Sequence, residues 1–381
     1  MAGKTKILII GATPPPYNGM SVATELVLHA LEDEFCVIHV DTADRRGLSN
    51  IGRIDLRNVF LAAYHGLKYF LLLLLKNPKI VYVPIAQDRL AFLRDSLFLI
   101  PARLLGKKVI VHLHGGYFAT FYRSSSAPTR RFIRYSLGRS ARAIVLGTSL
   151  GDMFEGILPR GRIRVIPNGI PDYFGKIQSS ASNGRRRTIL YLSTLLKEKG
   201  ALDVLSALPM IAEVVPDVRA VFAGEWYRAE DQQSAERIVR DLKLESRVEF
   251  IGPVAPPRKY EVVREADLFV MPTYYKNEGH PFVILEAMSA GLPIVSTNMG
   301  CIAETVIDEL NGFIVEPGNR EEFVGSVVAI LTNDDLRRTM GEASRRRFLE
   351  QYTLDRFSTQ LKELCQEVAA EPPGLCPSQA L

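Results

Sequence analysis

Residues 267–296 read DLFVMPTYYKNEGHPFVILEAMSAGLPIVS. An apolar run, Asp267–Met271, is followed by a polar loop, Thr273–Asn277, and then by a largely apolar segment between Pro281 and Gly291. Proline suits the first position of a helix and glycine the position just past its end, so the segment brackets a helix of about ten residues. A second apolar run, Pro293–Ser296, comes next. Strand, helix and strand joined this closely form a parallel βαβ unit, with the helix covering one face of the sheet.

The same alternation extends in both directions. Upstream in this half, runs fall at Thr188–Leu192, Arg219–Ala223 and Arg247–Ile251; downstream, at Gly312–Val315. The first half has its own six, Lys6–Ile10, Cys36–Val40, Lys79–Val83, Lys108–Leu113, Ala143–Leu146 and Arg164–Ile166. Helix-length segments such as Ser21–Glu32 and Arg89–Leu105 separate them. The fold class expected is α/β, with two tandem Rossmann-like, doubly wound domains facing across a cleft. At 381 residues the chain has the length for two such domains. The polar, basic stretch 173–187 reads as a linker between domains at 1–172 and 188–350; a helix at 351–370 packs back towards the first domain, and the Pro-rich tail 371–381 is frayed.

Composition narrows the function. The most apolar window, Tyr69–Leu75, is far short of the roughly 20 residues that span a bilayer, so no transmembrane helix is expected. Four scattered cysteines make neither a metal spacing nor a disulfide framework, which fits a cytoplasmic chain without a bound metal. Residues 1–172 carry 23 Lys and Arg against 12 Asp and Glu, whereas the remainder carries 24 against 30. Six arginines crowd 123–142, interleaved with Phe121, Tyr122, Phe132 and Tyr135. That pattern suits an anionic membrane surface or a phosphorylated acceptor, or is simply a solvated helix face. It lacks a nucleic-acid docking motif, and no nucleic-acid partner is expected.

Chemistry concentrates in the opening stretch. The first-turn amides of the helix, in Gly279-His280-Pro281-Phe282, offer unpaired donors and a positive dipole end to an anion, with a diphosphate the natural guest. Glu286, a turn and a half into the helix, can accept hydrogen bonds from two neighbouring ribose hydroxyls, and Glu278 can do the same for a sugar.

Glu278-x7-Glu286 with the following Gly-Leu-Pro-Ile-Val resembles the signature of glycosyltransferase family 4, retaining enzymes of the two-Rossmann-domain GT-B fold. Pro167-Asn-Gly-Ile170 and Lys197-Glu-Lys-Gly200 resemble two further motifs of that family. The resemblance implies that Glu278 contacts the donor sugar, Glu286 holds the ribose, and Lys199 binds the diphosphate. It also implies that His114, in Val109-Ile-Val-His-Leu-His-Gly-Gly116, contacts the transferred sugar, while strand alternation is expected to turn His112 elsewhere. Gly19, in the loop Thr13–Ser21, resembles the family's glycine that lets backbone approach donor or acceptor. Where the family places an arginine five residues before the lysine, this chain has Thr194.

The reaction so implied is metal-independent transfer of a sugar, with retention, from a UDP- or GDP-linked donor to a hydroxyl acceptor. No other cofactor is expected. A glycan or lipid-linked acceptor in bacterial surface-glycan assembly, met at the inner face of the cell membrane, fits the basic first half. The rival readings are a nucleotide-sugar epimerase on the same fold and a non-catalytic nucleotide-sugar-binding module.

Overall fold

Each apolar run pairs with its neighbours as a buried parallel strand. The computed structural model describes residues 4–45, 56–175 and 187–372. Its strands are β1 (Lys6–Gly11), β2 (Cys36–Asp41), β3 (Ile80–Ile85), β4 (Lys108–Leu113), β5 (Arg142–Val145), β6 (Ile163–Val165), β7 (Thr188–Leu192), β8 (Arg219–Ala223), β9 (Val248–Gly252), β10 (Leu268–Met271), β11 (Ile294–Thr297) and β12 (Gly312–Val315). The helices are α1 (Gly19–Leu31), α2 (Leu56–Lys76), α3 (Arg89–Leu104), α4 (Phe118–Ser124), α5 (Ala127–Leu137), α6 (Ala201–Val214), α7 (Ala229–Asp241), α8 (Arg258–Arg264), α9 (Phe282–Ser289), α10 (Ile302–Thr305), α11 (Arg320–Thr332), α12 (Asp334–Gln351) and α13 (Leu354–Ala370). All twelve strands lie where the sequence pattern put them, within a residue or two at either end.

The chain divides into two units, one of residues up to 168 plus those from 354 onward, the other of 169–353. The first holds a six-stranded sheet in the order β2-β1-β3-β4-β5-β6. The second holds β12-β11-β10-β7-β8-β9, the Rossmann order. Both are parallel throughout, so their central strands are buried on both faces; Ile7 to Ile9 and Leu268 to Met271 are fully enclosed.

Three expectations change. The segment 173–187 does not begin as a free linker: Arg345 clamps Asp172 at 2.5 and 2.6 Å, and the Tyr173 ring stacks on Tyr260 at 4.2 Å. Residues up to Gly175 therefore belong to the second unit, while 176–186 lie outside the described residues. The second unit also runs on to Thr353, and α13 belongs to the first unit. It buries Phe357, Leu361, Leu364 and Val368, and Lys362 bonds Asp33 at 2.6 Å. Most of the expected frayed tail, 373–381, lies outside the described residues. Finally, the apolar window at Tyr69–Leu75 is one end of a 21-residue helix, α2, whose span Val59–Lys76 is long and apolar enough to cross a membrane by length and composition.

Candidate functional site

In the second unit the strand order reverses between β7 and β10, and open α/β sheets bind ligands beyond the carboxyl ends of their strands at such a switch point. Lys199 follows β7 and Glu278 follows β10. Between β7 and α6 the chain makes a single 3-10 turn, Lys197–Lys199, and reverses at Gly200, whose φ is +87°. A Cβ there would fall 2.8 Å from the carbonyl carbon of Pro272, so only glycine fits both the backbone angle and the space. The close approach locks the two loops together. The Tyr274 amide donates to the Glu198 carbonyl at 2.8 Å, and the Tyr191 hydroxyl to the Lys199 carbonyl at 2.9 Å.

Lys199 is thereby aimed at Glu278, with Nζ 3.6 Å from Oε2. Glu278 is only 7% exposed and takes a further hydrogen bond from the Thr273 hydroxyl at 3.4 Å. The ion pair is longer than the 2.7–2.9 Å or so of a tight charge-assisted bond, so the ammonium keeps donors for an arriving anion. A third loop packs against the backbone of Glu278 and Gly279. Gly300, at φ +57°, packs so closely that a Cβ would lie 2.6 Å from the Glu278 carbonyl oxygen, and the Cys301 amide donates to the Gly279 carbonyl at 2.8 Å.

Helix α9 starts at Phe282, with Pro281 as its extended N-cap instead of its first helical residue, and no side chain caps the first turn. Gly291 sits just past the end, at φ +72°. Glu286, the fifth residue of α9, is 6% exposed and ion-paired with Lys259 of α8 through Oε1. Its other oxygen has no hydrogen-bond partner among the described residues. Burial raises the Glu286 carboxyl above the ordinary 4.5, and Lys259 only partly offsets this. A buried carboxylate oxygen without a donor is costly unless a ligand supplies one. The sequence reading missed Lys259, one lysine after Pro256-Pro257 with no motif around it. Gly300 was missed for the same reason.

The remaining expected residues fall as follows. His280 is buried against Tyr352, ring centroids 5.2 Å apart, and burial takes its pKa down to about 4. It therefore stands uncharged at neutral pH and shapes the loop. Thr194 lies in the β7–α6 loop, where Leu195 pairs with Trp226 and the Lys197 amide bonds Asp231 at 3.0 Å. In the first unit, Gly19 opens α1 behind an Asn18–Ser21 capping box, and a Cβ on it would meet nothing within 4 Å. His114 follows β4 and is held neutral by burial, its pKa down to about 4. His112 does not turn elsewhere: residues two apart on a strand share a face, and the two imidazoles lie 3.9 Å apart. His112 Nδ1 is hydrogen-bonded to the Tyr82 hydroxyl, fixing the pair from below.

The switch point, an uncapped helix end, one loosely paired lysine and two buried carboxylates make up a candidate site whose chemistry suits a phosphorylated, hydroxyl-rich ligand. Comparison with known proteins agrees: residues 174–347 match the family model for glycosyl transferases group 1. Over those residues the chain resembles the group 1 glycosyl transferases. The chain is 27% identical over 263 residues, 67% of each chain, to the GDP-mannose:cellobiosyl-diphosphopolyprenol alpha-mannosyltransferase of Xanthomonas oryzae pv. oryzae. It is 23% identical over 269 residues, 68% of each chain, to the N-acetyl-alpha-D-glucosaminyl L-malate synthase of Bacillus anthracis. Among solved structures it shares its fold with Anabaena HepE in complex with UDP-glucose, at a TM-score of 0.74 and 18% identity over 95% of this chain and 99% of that one. The sucrose-phosphate synthase of Thermosynechococcus elongatus matches equally well, at 0.74 and 17% identity over 96% and 100%.

Proposed function

We propose that this glycosyltransferase moves a sugar, with retention of configuration and without a catalytic metal, from a UDP- or GDP-linked donor to a hydroxyl of a glycan or lipid-linked acceptor. The observation that carries the reading is the placement of Lys199 with Glu278, and Lys259 with Glu286, about the uncapped start of α9. The diphosphate takes the first-turn amides of α9 and Lys199. As the bond from the anomeric carbon to the diphosphate oxygen breaks, charge grows on that oxygen, and a fixed ammonium and helix end stabilise it more than they stabilise the ground state. Glu278 holds the donor sugar. Glu286, with Lys259 neutralising it, binds the ribose diol, whose hydroxyls supply the donors that its unpartnered oxygen lacks. The acceptor hydroxyl attacks on the face the diphosphate leaves, and its proton passes to the leaving diphosphate. His114, neutral and packed on His112, positions the transferred sugar. The work is done in the cytoplasm, on the inner face of the cell membrane.

The test is release of nucleoside diphosphate from UDP- and GDP-sugars in EDTA, with a membrane lipid extract as acceptor. Release that continues in EDTA and falls by roughly a hundredfold in Glu278→Gln supports the reading. A nucleotide sugar recovered intact but epimerised would refute it, as would an unimpaired Glu278→Gln enzyme.

A further inference from the structure

Helix α2 is largely apolar, and the described residues cover only one side of it. Tyr69 and Leu73 are buried, and the Tyr69 hydroxyl donates to the Phe98 carbonyl of α3 at 2.7 Å. On the opposite side Phe60, Tyr64, Leu67, Leu71 and Leu74, spaced three or four apart, form one continuous stripe that stands 48–72% exposed. Only 11% of the span Val59–Lys76 is buried. Neighbouring α3 repeats the pattern with Leu90, Leu93, Leu97 and Leu104. Leu97 of α3 meets α2 at Gly66, its Cδ1 3.8 Å from where a Cβ would be. An apolar surface this extended on a soluble-looking domain marks a binding face.

The charge around it selects the occupant. From residue 56 to 151 the sequence holds fifteen Lys and Arg but only two acidic residues, Asp88 and Asp95. Asp95 is buried and bonded to Arg94 at 2.9 Å, and Asp88 caps α3, whereas Arg57, Lys68 and Lys76 of α2 and Arg89 of α3 are exposed. A second copy of this chain packing on the same face would set like charges against each other. An anionic bilayer offers hydrocarbon to the leucines and phosphate to the cations at their edge. Because α2 is fastened to α3 at Gly66 and Tyr69, it lies along the surface of its unit and not across a membrane.

We infer that the outer face of α2 and α3 inserts in-plane into the headgroup boundary of an anionic lipid bilayer. This deepens the acceptor side of the proposed function, yet it is independent of the donor chemistry. Within the arginine cluster at 123–142, Arg142 is turned inward onto Glu367 and Arg123 is paired with Glu155 at 2.8 Å, so these two arginines are already engaged within their unit.

The test is flotation of the full chain with vesicles of phosphatidylcholine, alone or mixed with phosphatidylglycerol, for wild type and a Leu67→Glu/Leu71→Glu/Leu74→Glu variant. Wild type should float with the mixed vesicles and bind plain phosphatidylcholine more weakly. The variant should bind mixed vesicles at least a hundredfold more weakly, from three apolar side chains no longer leaving water, with an unchanged melting temperature because those side chains face outward. Equal flotation of variant and wild type overturns the inference, as does wild type that does not float. So does a wild-type dimer, seen by sedimentation without lipid, that the variant dissolves. Donor binding measured without vesicles stays at the wild-type level in the variant, which separates failure of this inference from failure of the transfer reading.

Discussion

Lys259→Met should destabilise the second unit in a pH-dependent way. The substitution keeps the stem of the side chain but leaves Glu286, 6% exposed, without its counter-charge. Removing one partner of a buried ion pair costs about 3 kcal/mol at the lower end of the usual range, and Lys259 itself is only a fifth exposed, so little solvent screening reduces that. For a unit of this size that is a fall in melting temperature of roughly 6–12 °C. The sign with pH follows from the raised carboxyl. Glu286 keeps its proton to higher pH folded than unfolded, so its contribution is full below the ordinary 4.5 and is lost as pH rises through the folded value. Removing Lys259 pushes that value higher still. The deficit of the variant should be small near pH 4.5 and should grow to its full size by pH 8, as read by calorimetry. Lys259→Met/Glu286→Gln, which leaves no buried charge, should recover most of it. An equal deficit at both pH values, or a double variant no better than the single one, would refute the reasoning.

Gly200→Ala should lower stability by about 2 kcal/mol or more, because the new methyl group must enter a left-handed backbone position already filled by Pro272; a melting temperature equal to wild type would count against the loop geometry. Thr194→Arg should leave transfer intact and lower the donor KM by up to about tenfold, through a charge-assisted bond to phosphate; a large loss of turnover would show that Thr194 does not face the donor. His112 and His114 are both held neutral by burial, so the stability they confer is full above the ordinary 6.5 and is lost as pH falls from there, for His114 towards about 4. His114→Asn should flatten that acid slope in calorimetry, and an unchanged slope would be the contrary result.

Much of the molecule was legible because short runs of β-branched and aliphatic residues can only be buried strands when helix-length segments separate them. The Rossmann order of the second unit and its different counterpart in the first were not legible, since pairing partners are set by tertiary packing. Glu278 and Glu286 could be singled out because the helix between Pro281 and Gly291 announces itself, and Lys199 only through the resemblance of Lys197-Glu-Lys-Gly200 to a family motif. Lys259 could not, because what makes it matter is the carboxylate 27 residues later that α8 brings it to. His112 was misplaced by overlooking that strand residues two apart share a face. The length of α2 escaped because Arg57, His65 and Lys68 interrupt its hydropathy but not its helix. The exposed stripe of α2 depends on which neighbours are absent, something no single segment records.

The central claim is that the α9 crevice of the second unit is the donor site. Calorimetric titration of UDP-, GDP- and ADP-sugars into wild type, Lys199→Met and Glu286→Gln tests it most directly. One UDP- or GDP-linked donor should bind wild type at a single site, with Kd rising at least tenfold in each variant, a loss of about 1.4 kcal/mol or more. Folded variants that bind the same donor as tightly as wild type would contradict it.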